Sequence, residues 1–536
     1  MTSNTESYIQ DSLRELERPE TPSLLASFAW SCEEHADIEA FKCLGKPISY
    51  VEIEALTRDF AAYLLNECGL SKGDRIAIQL PNLVQYPIAA WGALRAGLVI
   101  VNTNPLYTKR ELIYQFNDSG ARALVALSDN LPLIEEVIPE TEVEVVIATN
   151  VIDMLKPQPL PKSQISNLVS FPDALAAGRN LELPEVDISL DDLALLQYTG
   201  GTTGAPKGAM LSHGNLLSAV LMSPLSFGAD MTDPEIAISP MPLYHIYGFA
   251  VTLVSGSLNG STAILIPNPR DIAGLIDTMK QEAFTSFAGV NTLFTALLHH
   301  PEFDNVDFGK LRWTIAGGAA TVPEIAEEWK RRTGANIHEG YGLSETAAMA
   351  TVNTLTSREL GTIGPPMVGS EFKVVDEDGN ELPMGEEGEL LIRGPQVMQG
   401  YWQRPEATAE VIDADGWFRS GDIALIQENG HIRIVDRLKD MVLVSGFNVY
   451  PNEIENVVFT HPEVVECAVV GVPDDKTGEA VKLFVVTNNA DLDPDDLRRF
   501  CREQLTAYKV PRHVEFRDEL PKSAVGKILR RELRDQ

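Results

Sequence analysis

The segment best suited to chemistry is a loop rich in glycine and threonine that ends in a lysine, Thr199-Gly-Gly-Thr-Thr-Gly-Ala-Pro-Lys207. Glycine lets backbone N–H groups turn inward, and the threonine hydroxyls and the ammonium group add further donors for an anion. Residues 193–198 before it have the composition of a buried strand, and the apolar spacing after Asn215 predicts a helix. A strand, a glycine-rich loop and a helix in this order are typical of a phosphate-binding site.

The spacing within the loop differs from that of P-loop kinases and GTPases. Their loops place a serine or threonine directly after the lysine to hold Mg²⁺, whereas Gly208 follows Lys207 here. A surface loop made of small residues is the other interpretation, because such clusters are common in loops. The loop therefore predicts a nucleotide site of a different type from the P-loop.

Further motifs place single polar side chains among glycines or aromatic residues. Each has an ordinary structural interpretation, since a lone histidine among aromatic residues is usually a core residue and a lone glutamate is usually solvated. A basic segment near the C-terminus by itself resembles a solvated tail. The residues that the motifs single out are His245, Ser344, Glu345, Asp422, Arg437, Lys439 and Lys527.

The composition is that of a globular protein with a strongly acidic balance. Hydrophobic residues make up 44% of the chain and charged residues 22%, as in soluble domains. The formal net charge of −34 opposes nonspecific binding to nucleic acid and broad attraction to anionic lipid. An anionic substrate therefore needs a local basic site that works against the field of the whole chain.

The cysteines, at positions 32, 43, 68, 467 and 501, are scattered and lack metal-ligand spacing. Free thiols of this kind fit a reducing compartment. The N-terminal residues lack a basic stretch followed by an apolar core, so no export signal is predicted. We expect a cytoplasmic protein, and no apolar stretch is long enough to span a bilayer.

Alternating strands and helices in the first part of the chain predict an α/β fold with doubly wound, mostly parallel sheets. A capping box from Thr321 to Glu324 is expected to open a helix that stops at Gly334. Ligands bind beyond the carboxyl ends of strands in such folds, and the glycine-rich segments at 200 and 317 both fall there. The predicted strands include residues 74–80, 98–101, 193–198 and 311–316, and helices are expected after Pro87 and over 110–116.

From about residue 356 the pattern changes to short strands separated by Asp-Gly and Asn-Gly turns. This pattern predicts a small antiparallel sheet or barrel over about 356–436, and we expect a β-barrel subdomain there. After Arg437 a third pattern begins, with a helix after Pro451 and another capped by Asp493. We therefore expect a large N-terminal domain over 1–436 and a small α+β domain over 437–536.

Together these motifs closely resemble the adenylate-forming superfamily of acyl-CoA synthetases, luciferases and nonribosomal-peptide adenylation domains. The resemblance covers nearly the whole chain and is closest to bacterial long-chain fatty acid–CoA ligases of β-oxidation. It implies that ATP converts a fatty acid into an acyl-adenylate with release of diphosphate, and that CoA then displaces AMP. The C-terminal domain is implied to be a mobile lid that rotates between the two steps.

The resemblance also implies a role for individual residues of the first step. The glycine-rich loop would hold the β- and γ-phosphates, Glu345 would bind Mg²⁺ beside Ser344, and Asp422 would accept the ribose hydroxyls. Lys527 would bridge the carboxylate and the α-phosphate, and His245 would face the carboxylate. The segment 317–320 and Tyr341 would frame the adenine. The residues implied to bind ATP or AMP are Thr199, Gly200, Gly201, Thr202, Thr203, Gly204, Lys207, Gly317, Gly318, Ala319, Glu339, Gly340, Tyr341, Gly342, Asp422 and Arg437.

For the second step, Lys439 matches the hinge position of the family. The segment Ser445, Gly446 and Phe447 matches the part that faces the CoA channel, and it favours CoA over a carrier protein as acyl acceptor. A long acyl chain needs an apolar tunnel, because each buried CH₂ is worth about 0.8 kcal/mol. The candidates for its wall, which also fit an ordinary core, are Tyr247, Phe249, Val290 and Leu293.

The implied partners are a fatty acid, ATP and CoA, with Mg²⁺ as cofactor and no nucleic acid. Transient contact with the cytoplasmic face of the membrane and a homodimer are left open. The alternatives are a fatty acyl-AMP ligase that serves a carrier protein, and a CoA ligase for medium-chain or aryl acids. An ATP-binding sensor or lipid carrier without catalysis is opposed by the intact Glu345 and Lys527.

Overall fold

The computed structural model describes residues 3–19, 22–199, 205–228, 234–445, 447–474, 476–489, 491–523 and 526–534. Its contacts divide the chain into two compact units. The first holds the chain up to Arg358 with Met367–Ser370 and Arg393–Gly416, and the second holds Glu359–Pro366, Glu371–Ile392 and everything from Trp417 onward.

Helices occur throughout both units. The α-helices are Ser3–Glu15, Leu24–Glu34, Tyr50–Asn66, Gln85–Arg95, Lys109–Ser119, Leu131–Val137, Phe171–Gly178, His213–Phe227, Gly256–Leu258, Ile272–Gln281, Asn291–Leu298, Pro323–Thr333, Pro405–Val411, Pro451–Phe459, Pro494–Gln504 and Arg530–Arg534. A π-helix covers Gly248–Ser255, and short 3₁₀ segments cover Ser128–Asn130, Ile138–Glu140, Phe303–Asn305, Ser344–Thr346 and Ala507–Lys509. In the described ranges, the helices are all too short or too polar to cross a bilayer.

The first unit contains two large mixed sheets, as the alternation of strands and helices predicts. The eight-stranded sheet has the order Thr351–Val352, Ile337–Tyr341, Trp313–Ala316, Ser286–Gly289, Ile236–Ser239, Thr262–Leu265, Glu39–Cys43 and Lys46–Ser49. The seven-stranded sheet has the order Leu168–Ser170, Val145–Thr149, Ala121–Leu127, Arg75–Gln79, Val99–Asn102, Leu193–Thr199 and Lys207–Ser212. Most neighbours pair in parallel, with antiparallel strands at the edges.

The glycine-rich loop joins two strands, which differs from the predicted order of strand, loop and helix. Strand Leu193–Thr199 pairs antiparallel with Lys207–Ser212, and helix His213–Phe227 begins only after that second strand. The helix is capped by Ser212, whose hydroxyl accepts from the N–H of Asn215. Periodicity missed the second strand because it is short and lies directly against the helix.

The capping box expected from Thr321 to Glu324 is wrong. The helix begins at Pro323 after Val322, and no side chain caps its N-terminus. Proline at the first helical position needs no N–H partner, so it opens the helix without a cap. The predicted end is confirmed, because Gly334 adopts a left-handed conformation with φ of 79°.

The second unit contains an open antiparallel sheet where the sequence predicts a β-barrel. Its strand order is Glu371–Val375, Gly388–Arg393, Phe418–Ile426 and Ile432–Arg437. In the described part of this segment the sheet does not close into a barrel. Four strands provide too few neighbours for closure, although strands do lie on both sides of the Asp-Gly and Asn-Gly turns.

The rest of the second unit forms a five-stranded sheet with its own hydrophobic core. The order is Phe447–Val449, Val442–Val444, Gly478–Thr487 and Val464–Asp474, with His513–Phe516 parallel to Gly478–Thr487. Buried residues between Val442 and Cys501 pack under this sheet. The boundary near residue 437 and the mobility of the lid stay predictions.

Candidate functional site

The ends of the glycine-rich loop are held together by strand pairing. Thr199 lies directly opposite Lys207, and Tyr198 lies opposite Gly208. A Cβ atom on Gly208 would approach the Tyr198 ring to 3.2 Å, so a glycine suits this close pairing. Residues 200–204, which include the predicted phosphate ligands Gly200, Gly201, Thr202, Thr203 and Gly204, lie outside the described residues.

A buried aspartate anchors the base of this hairpin. Asp118 accepts hydrogen bonds from the Tyr198 hydroxyl, at 2.8 Å, and from the Arg404 guanidinium. Its backbone carbonyl accepts from the indole N–H of Trp402 at 3.1 Å. The Tyr114 hydroxyl donates to the carbonyl of Pro206 at 2.7 Å. These bonds fix both ends of the loop to the surrounding helix and strands.

Glu345 lies in a 3₁₀ turn and is 9% exposed. Its Oε1 accepts a hydrogen bond of 2.7 Å from the hydroxyl of Tyr401, and its carbonyl accepts one of 2.8 Å from Met398 N–H. The ring of Tyr401 lies 4.9 Å from Lys207 Nζ. Tyr401 thus contacts both the predicted metal ligand and the lysine of the phosphate loop.

The turn that presents Ser344 and Glu345 is unusually tight. A Cβ atom on Gly342 would lie 2.0 Å from the carbonyl oxygen of Ala348, so only glycine fits there. Ala347 and Ala348 adopt left-handed φ angles of 48° and 69°, which cost non-glycine residues roughly 1–2 kcal/mol each. Backbone strain of this kind is concentrated at functional sites.

Other candidate residues of the first unit lie at the carboxyl ends of adjacent parallel strands. Strands Ser286–Gly289, Trp313–Ala316 and Ile337–Tyr341 are successive neighbours, with Ala316 opposite both Gly289 and Glu339. Their carboxyl ends carry the candidates for the adenine pocket and for part of the acyl tunnel. These are Val290, Gly317, Gly318, Ala319, Glu339, Gly340 and Tyr341.

Close contacts join members of the adenine group to members of the acyl group. A Cβ atom on Gly317 would lie 3.4 Å from the ring of Tyr247, and one on Gly318 would lie 3.8 Å from Val290. The hydroxyl of Tyr247 donates to the carbonyl of Ile315 at 3.2 Å. Tyr247 and Val290 therefore border the backbone that the resemblance assigns to adenine.

The remaining acyl candidates are buried. Leu293 lies in helix Asn291–Leu298 and is 9% exposed, whereas Phe249 lies fully buried in the π-helix. His245 is half-buried, and its Nδ1 accepts a hydrogen bond of 3.3 Å from Tyr247 N–H. His245 is thus attached to the tunnel candidate Tyr247.

Glu339 is a buried carboxyl group near the glycine pair. Its Oε2 accepts a hydrogen bond of 3.3 Å from Thr321 N–H. Burial raises the pKa of Glu339 to about 8, against the smaller lowering effect of Thr321. A carboxyl group with this pKa is mostly protonated at neutral pH and can donate a hydrogen bond.

In the second unit, Asp422 and Arg437 are direct partners on adjacent antiparallel strands. The Nε atom of Arg437 lies 3.0 Å from Oδ1 of Asp422, which is almost fully buried. Ser420 accepts a hydrogen bond of 3.1 Å from Asp422 N–H. The carboxylate thereby has a fixed orientation and a compensating positive charge.

Lys527 lies in a tight turn near the C-terminus. Its carbonyl accepts from Ser523 N–H at 2.8 Å, and its own N–H donates to the Ser523 hydroxyl at 3.2 Å. Lys527 is exposed to solvent. Even so, desolvation by the surrounding protein atoms lowers the pKa of Lys527 to about 7. The charge of Arg437 lowers the pKa further, and Asp422 opposes this effect.

Arg530, three residues after Lys527, forms hydrogen bonds and ion pairs with residues on both sides of the predicted hinge. Its guanidinium donates to Asn452 at 2.6 Å, to Glu455 at 2.7 Å and to Asp440 at 3.3 Å. It also lies 3.8 Å from Asp436, a fully buried carboxyl group whose pKa burial raises to about 6. Asp436 and Asp440 flank the short turn that contains Lys439.

The candidates for the hinge and the CoA channel are exposed. Lys439 lies in a turn closed by a hydrogen bond of 2.9 Å from Asp440 N–H to the Arg437 carbonyl. Ser445 donates its N–H to Thr477, and Phe447, 54% exposed, stacks on Tyr508 with ring centroids 4.7 Å apart. Gly446 lies outside the described residues.

Sequence reasoning missed Tyr401, Asp118 and Arg530. The Gly-Tyr-Trp run at 400–402 offered a signal, because two aromatic residues after a glycine suggest a packed turn. Nothing in the sequence links Asp118 to the loop, since the two are brought together only by the sheet. Arg530 follows Lys527 in a basic segment that resembles a solvated tail.

Comparisons with known proteins agree with this arrangement. The AMP-binding enzyme family matches residues 28–402, and the AMP-binding enzyme C-terminal domain matches residues 453–527. The long-chain-fatty-acid–CoA ligase of Escherichia coli O6:H1 is 47% identical over 530 residues, which are 96% of this chain and 94% of that protein. The ligase of the same name from Yersinia pestis is 46% identical over 546 residues, 99% of this chain and 97% of its own.

A solved structure extends the match to the fold of the whole chain. ATP-bound MatB from Rhodopseudomonas palustris superposes with a TM-score of 0.84 and 32% identity, covering 95% of this chain and 98% of its own. The match to the AMP-binding enzyme family spans well over half of the chain, and it includes the loop ends, the Glu345 turn and the strand ends described above. The chain therefore belongs to the AMP-binding enzyme family, the adenylate-forming superfamily.

Proposed function

We propose that this protein is an ATP-dependent fatty acid–CoA ligase that acts through an acyl-adenylate and prefers long-chain acids. The observation that carries the proposal is the sequence identity of 46–47%, over nearly the full length of the chain, to ligases named for that reaction. The same chemistry would use Lys207 beside the phosphates, Glu345 as a metal ligand and Asp422 as the ribose-binding carboxylate. Catabolism of the resulting acyl-CoA by β-oxidation is part of the proposal.

In the first step, a carboxylate oxygen of the fatty acid attacks the α-phosphorus of ATP and the bond to the β-phosphate oxygen breaks. Diphosphate leaves, and no proton is transferred. Two anions must approach, so the chain has to supply positive charge and N–H donors. Lys207 and the glycine-rich loop would hold the β- and γ-phosphates, and Lys527 would bridge the carboxylate and the α-phosphate.

Separate residues would bind the ribose and the adenine of ATP. Asp422 offers two acceptor oxygens for the ribose 2′- and 3′-hydroxyls, and its ion pair with Arg437 orients that carboxylate. Gly317 and Gly318 would allow adenine to approach the backbone, with the Tyr341 ring stacked on the base. Glu339, neutral at pH 7, would line the same pocket as a hydrogen-bond donor.

Glu345 is a suitable ligand for Mg²⁺. This ion prefers oxygen ligands and is usually held by one or two carboxylates together with substrate phosphates. The Tyr401 hydroxyl donates to Oε1 of Glu345, which orients the carboxylate. The second oxygen, Oε2, would then bind the ion. When bound, the ion would offset the charge of the triphosphate, while Ser344 would supply a neighbouring hydroxyl.

In the second step, the CoA thiolate attacks the acyl carbon, the bond to the phosphate oxygen breaks, and AMP leaves. A thiol with a reference pKa of about 8.5 must lose its proton first. We propose that the C-terminal lid turns about Lys439, which withdraws Lys527 and presents Ser445, Gly446 and Phe447 to the pantetheine arm. Lys439 lies in an exposed turn, and a hinge of this kind absorbs a large change of backbone conformation in a few residues.

Product analysis by mass spectrometry tests the proposal. The enzyme would be given Mg-ATP and fatty acids from C6 to C18, with aryl acids as further substrates, with and without CoA. We expect acyl-CoA only when CoA is present, with a maximum among the long chains. A maximum at medium-chain or aryl acids would overturn the long-chain preference, and adenylate that persists despite CoA would favour a fatty acyl-AMP ligase.

Contact with a membrane surface and a homodimer stay predictions of the sequence. Flotation with phospholipid vesicles tests the first, and light scattering on a sizing column tests the second. The net charge of −34 leads us to expect weak binding to anionic vesicles at most.

A further inference from the structure

Tyr401 belongs to a segment that is fastened along the strand after the glycine-rich loop. Gln399 N–H donates to the Met210 carbonyl at 2.9 Å, and Met210 N–H donates back to Gly400 at 2.9 Å. Trp402 N–H donates to the Gly208 carbonyl at 2.8 Å. The backbone on both sides of Tyr401 is therefore paired with residues that directly follow Lys207.

The same segment is also attached to the turn that holds Glu345. Met398 N–H donates to the Glu345 carbonyl at 2.8 Å, and the Tyr401 hydroxyl donates to Oε1 at 2.7 Å. Tyr401 and Glu345 are each only 9% exposed. A hydrogen bond to a carboxylate at this distance, away from bulk water, is among the stronger kinds in proteins.

The face of the Tyr401 ring meets a second charged group. Lys207 Nζ lies 4.9 Å from the ring centroid, within the range of a cation–π interaction. One side chain thus contacts a carboxylate through its hydroxyl and an ammonium group through its ring.

We propose that Tyr401 is a positioning residue that holds Glu345 for the metal and Lys207 for the phosphates of ATP. The inference rests on the proposed function, because it assigns Tyr401 to the same site. A carboxylate and an ammonium group in a shielded pocket attract each other, and an ion pair between them would withdraw both from the nucleotide. Tyr401 prevents this by engaging each group separately, so that one carboxylate oxygen and the ammonium protons point toward the triphosphate.

Two variants separate the two contacts. Tyr401→Phe keeps the ring against Lys207 and removes the hydroxyl that donates to Glu345. Tyr401→Leu removes both. A matched control is Tyr50→Phe in the same unit, whose buried hydroxyl donates to the carbonyls of Gly256 and Ser261 at 3.2 and 2.8 Å.

The experiment measures equilibrium binding of Mn²⁺, a probe of the metal position. Binding is detected by the electron paramagnetic resonance of Mn²⁺ in the presence of ATP. Calorimetry measures ATP binding without metal. We expect Tyr401→Phe to weaken Mn²⁺ binding in the ATP complex by about 10-fold to 100-fold and to change metal-free ATP binding by less than about two-fold. Tyr401→Leu should weaken both, and Tyr50→Phe neither.

Wild-type Mn²⁺ binding by Tyr401→Phe would overturn the inference, and so would an equal loss of ATP affinity with and without metal. Equal loss would mean that the hydroxyl supports the fold of the site in general. The proposed function is tested separately by the wild-type enzyme. If wild type forms acyl-CoA while Tyr401→Phe binds Mn²⁺ normally, only the role of Tyr401 fails; if wild type forms no adenylate, both fail.

Discussion

Nε of Arg437 lies 3.0 Å from Oδ1 of Asp422, across two adjacent antiparallel strands. A bulge next to this pair shifts the register, so that Ala424 lies opposite Ile434 while Asp422 lies opposite Arg437. Bulges of this kind redirect side chains and are frequent beside active sites. The sheet register therefore fixes the orientation of the carboxylate proposed to bind ribose.

Asp422→Asn is predicted to weaken ATP binding. The amide keeps the shape of the side chain but loses the charge that orients two hydroxyl donors, and a hydrogen bond to a charged group contributes roughly 1.5–3 kcal/mol. We expect the KM for ATP to rise by about 10-fold to 100-fold, while the KM for the fatty acid changes little. The check is a pair of steady-state titrations with each substrate in turn.

Glu389→Gln is the matched control for this variant, because Glu389 pairs with Arg419 in the same sheet at 2.5 Å. It removes another ion pair between arginine and a carboxylate in this sheet, outside the proposed nucleotide site. An unchanged KM for ATP in Asp422→Asn, or an equal rise in Glu389→Gln, would contradict the role of Asp422.

Lys527→Ala is predicted to slow adenylation by about 10²-fold to 10³-fold, the usual loss for one preorganised donor. The exchange of diphosphate into ATP measures this step without CoA. Lys522→Ala is the control, because Lys522 lies in the same turn and pairs with Glu466. A wild-type exchange rate in Lys527→Ala would remove this lysine from the first step.

The lowered pKa of Lys527 adds a pH dependence to the same prediction. With a pKa of about 7, the free enzyme loses this positive charge as pH rises through neutrality. We expect kcat/KM for ATP in adenylation to fall above about pH 7, since this ratio reports ionisation of the free enzyme. Lys527→Arg keeps its charge over this range and should lose this dependence even if its rate is lower.

Lys439→Pro is predicted to spare adenylation and to slow thioester formation. Proline fixes its own φ angle and restricts the preceding residue, which should prevent the turn from changing conformation. Lys439→Ala removes the same side chain and keeps the backbone free, so it should resemble wild type in both steps. Equal slowing of both steps by proline would count against a hinge here.

Glu339→Gln is predicted to stabilise the folded protein above about pH 5. The folded-state pKa of Glu339, about 8, lies above its ordinary value, so its stabilising contribution is complete below the unfolded pKa and is lost as pH rises toward 8. The difference in stability from wild type should grow across this window and level off near 8, reaching on the order of 5 kcal/mol.

The measurement is the Tm of both proteins from pH 4.5 to 9. Glu324→Gln serves as the control, because Glu324 is exposed at the start of its helix. A constant difference between Glu339→Gln and wild type over the whole range would show that Glu339 is ionised in the folded protein.

The sequence predicted those parts of the fold and site that depend on local pattern. The strand at Arg75–Gln79 and the left-handed end at Gly334 follow from periodicity and glycine placement. Strand Lys207–Ser212 was missed because pairing with Leu193–Thr199, a long-range property, decides its conformation. The barrel was expected from turn signals, which locate strands but do not determine whether a sheet closes.

The same division holds for the candidate site. Glu345 and Lys207 stand out in the sequence because glycines surround them, but their common neighbour Tyr401 is visible only in three dimensions. The raised pKa of Glu339 likewise depends on its burial in the folded protein. The spacing of residues along the chain reveals neither the contacts of Tyr401 nor the burial of Glu339.

Transfer of oxygen from the fatty acid tests the two-step chemistry most directly. The enzyme would be given ATP, Mg²⁺, CoA and a long-chain fatty acid with ¹⁸O in both carboxylate positions. Mass spectrometry would then measure the ¹⁸O content of each product. Attack of the carboxylate on the α-phosphorus followed by displacement of AMP predicts one ¹⁸O in AMP and one in the acyl-CoA. Label in the diphosphate, or none in AMP, would contradict an acyl-adenylate.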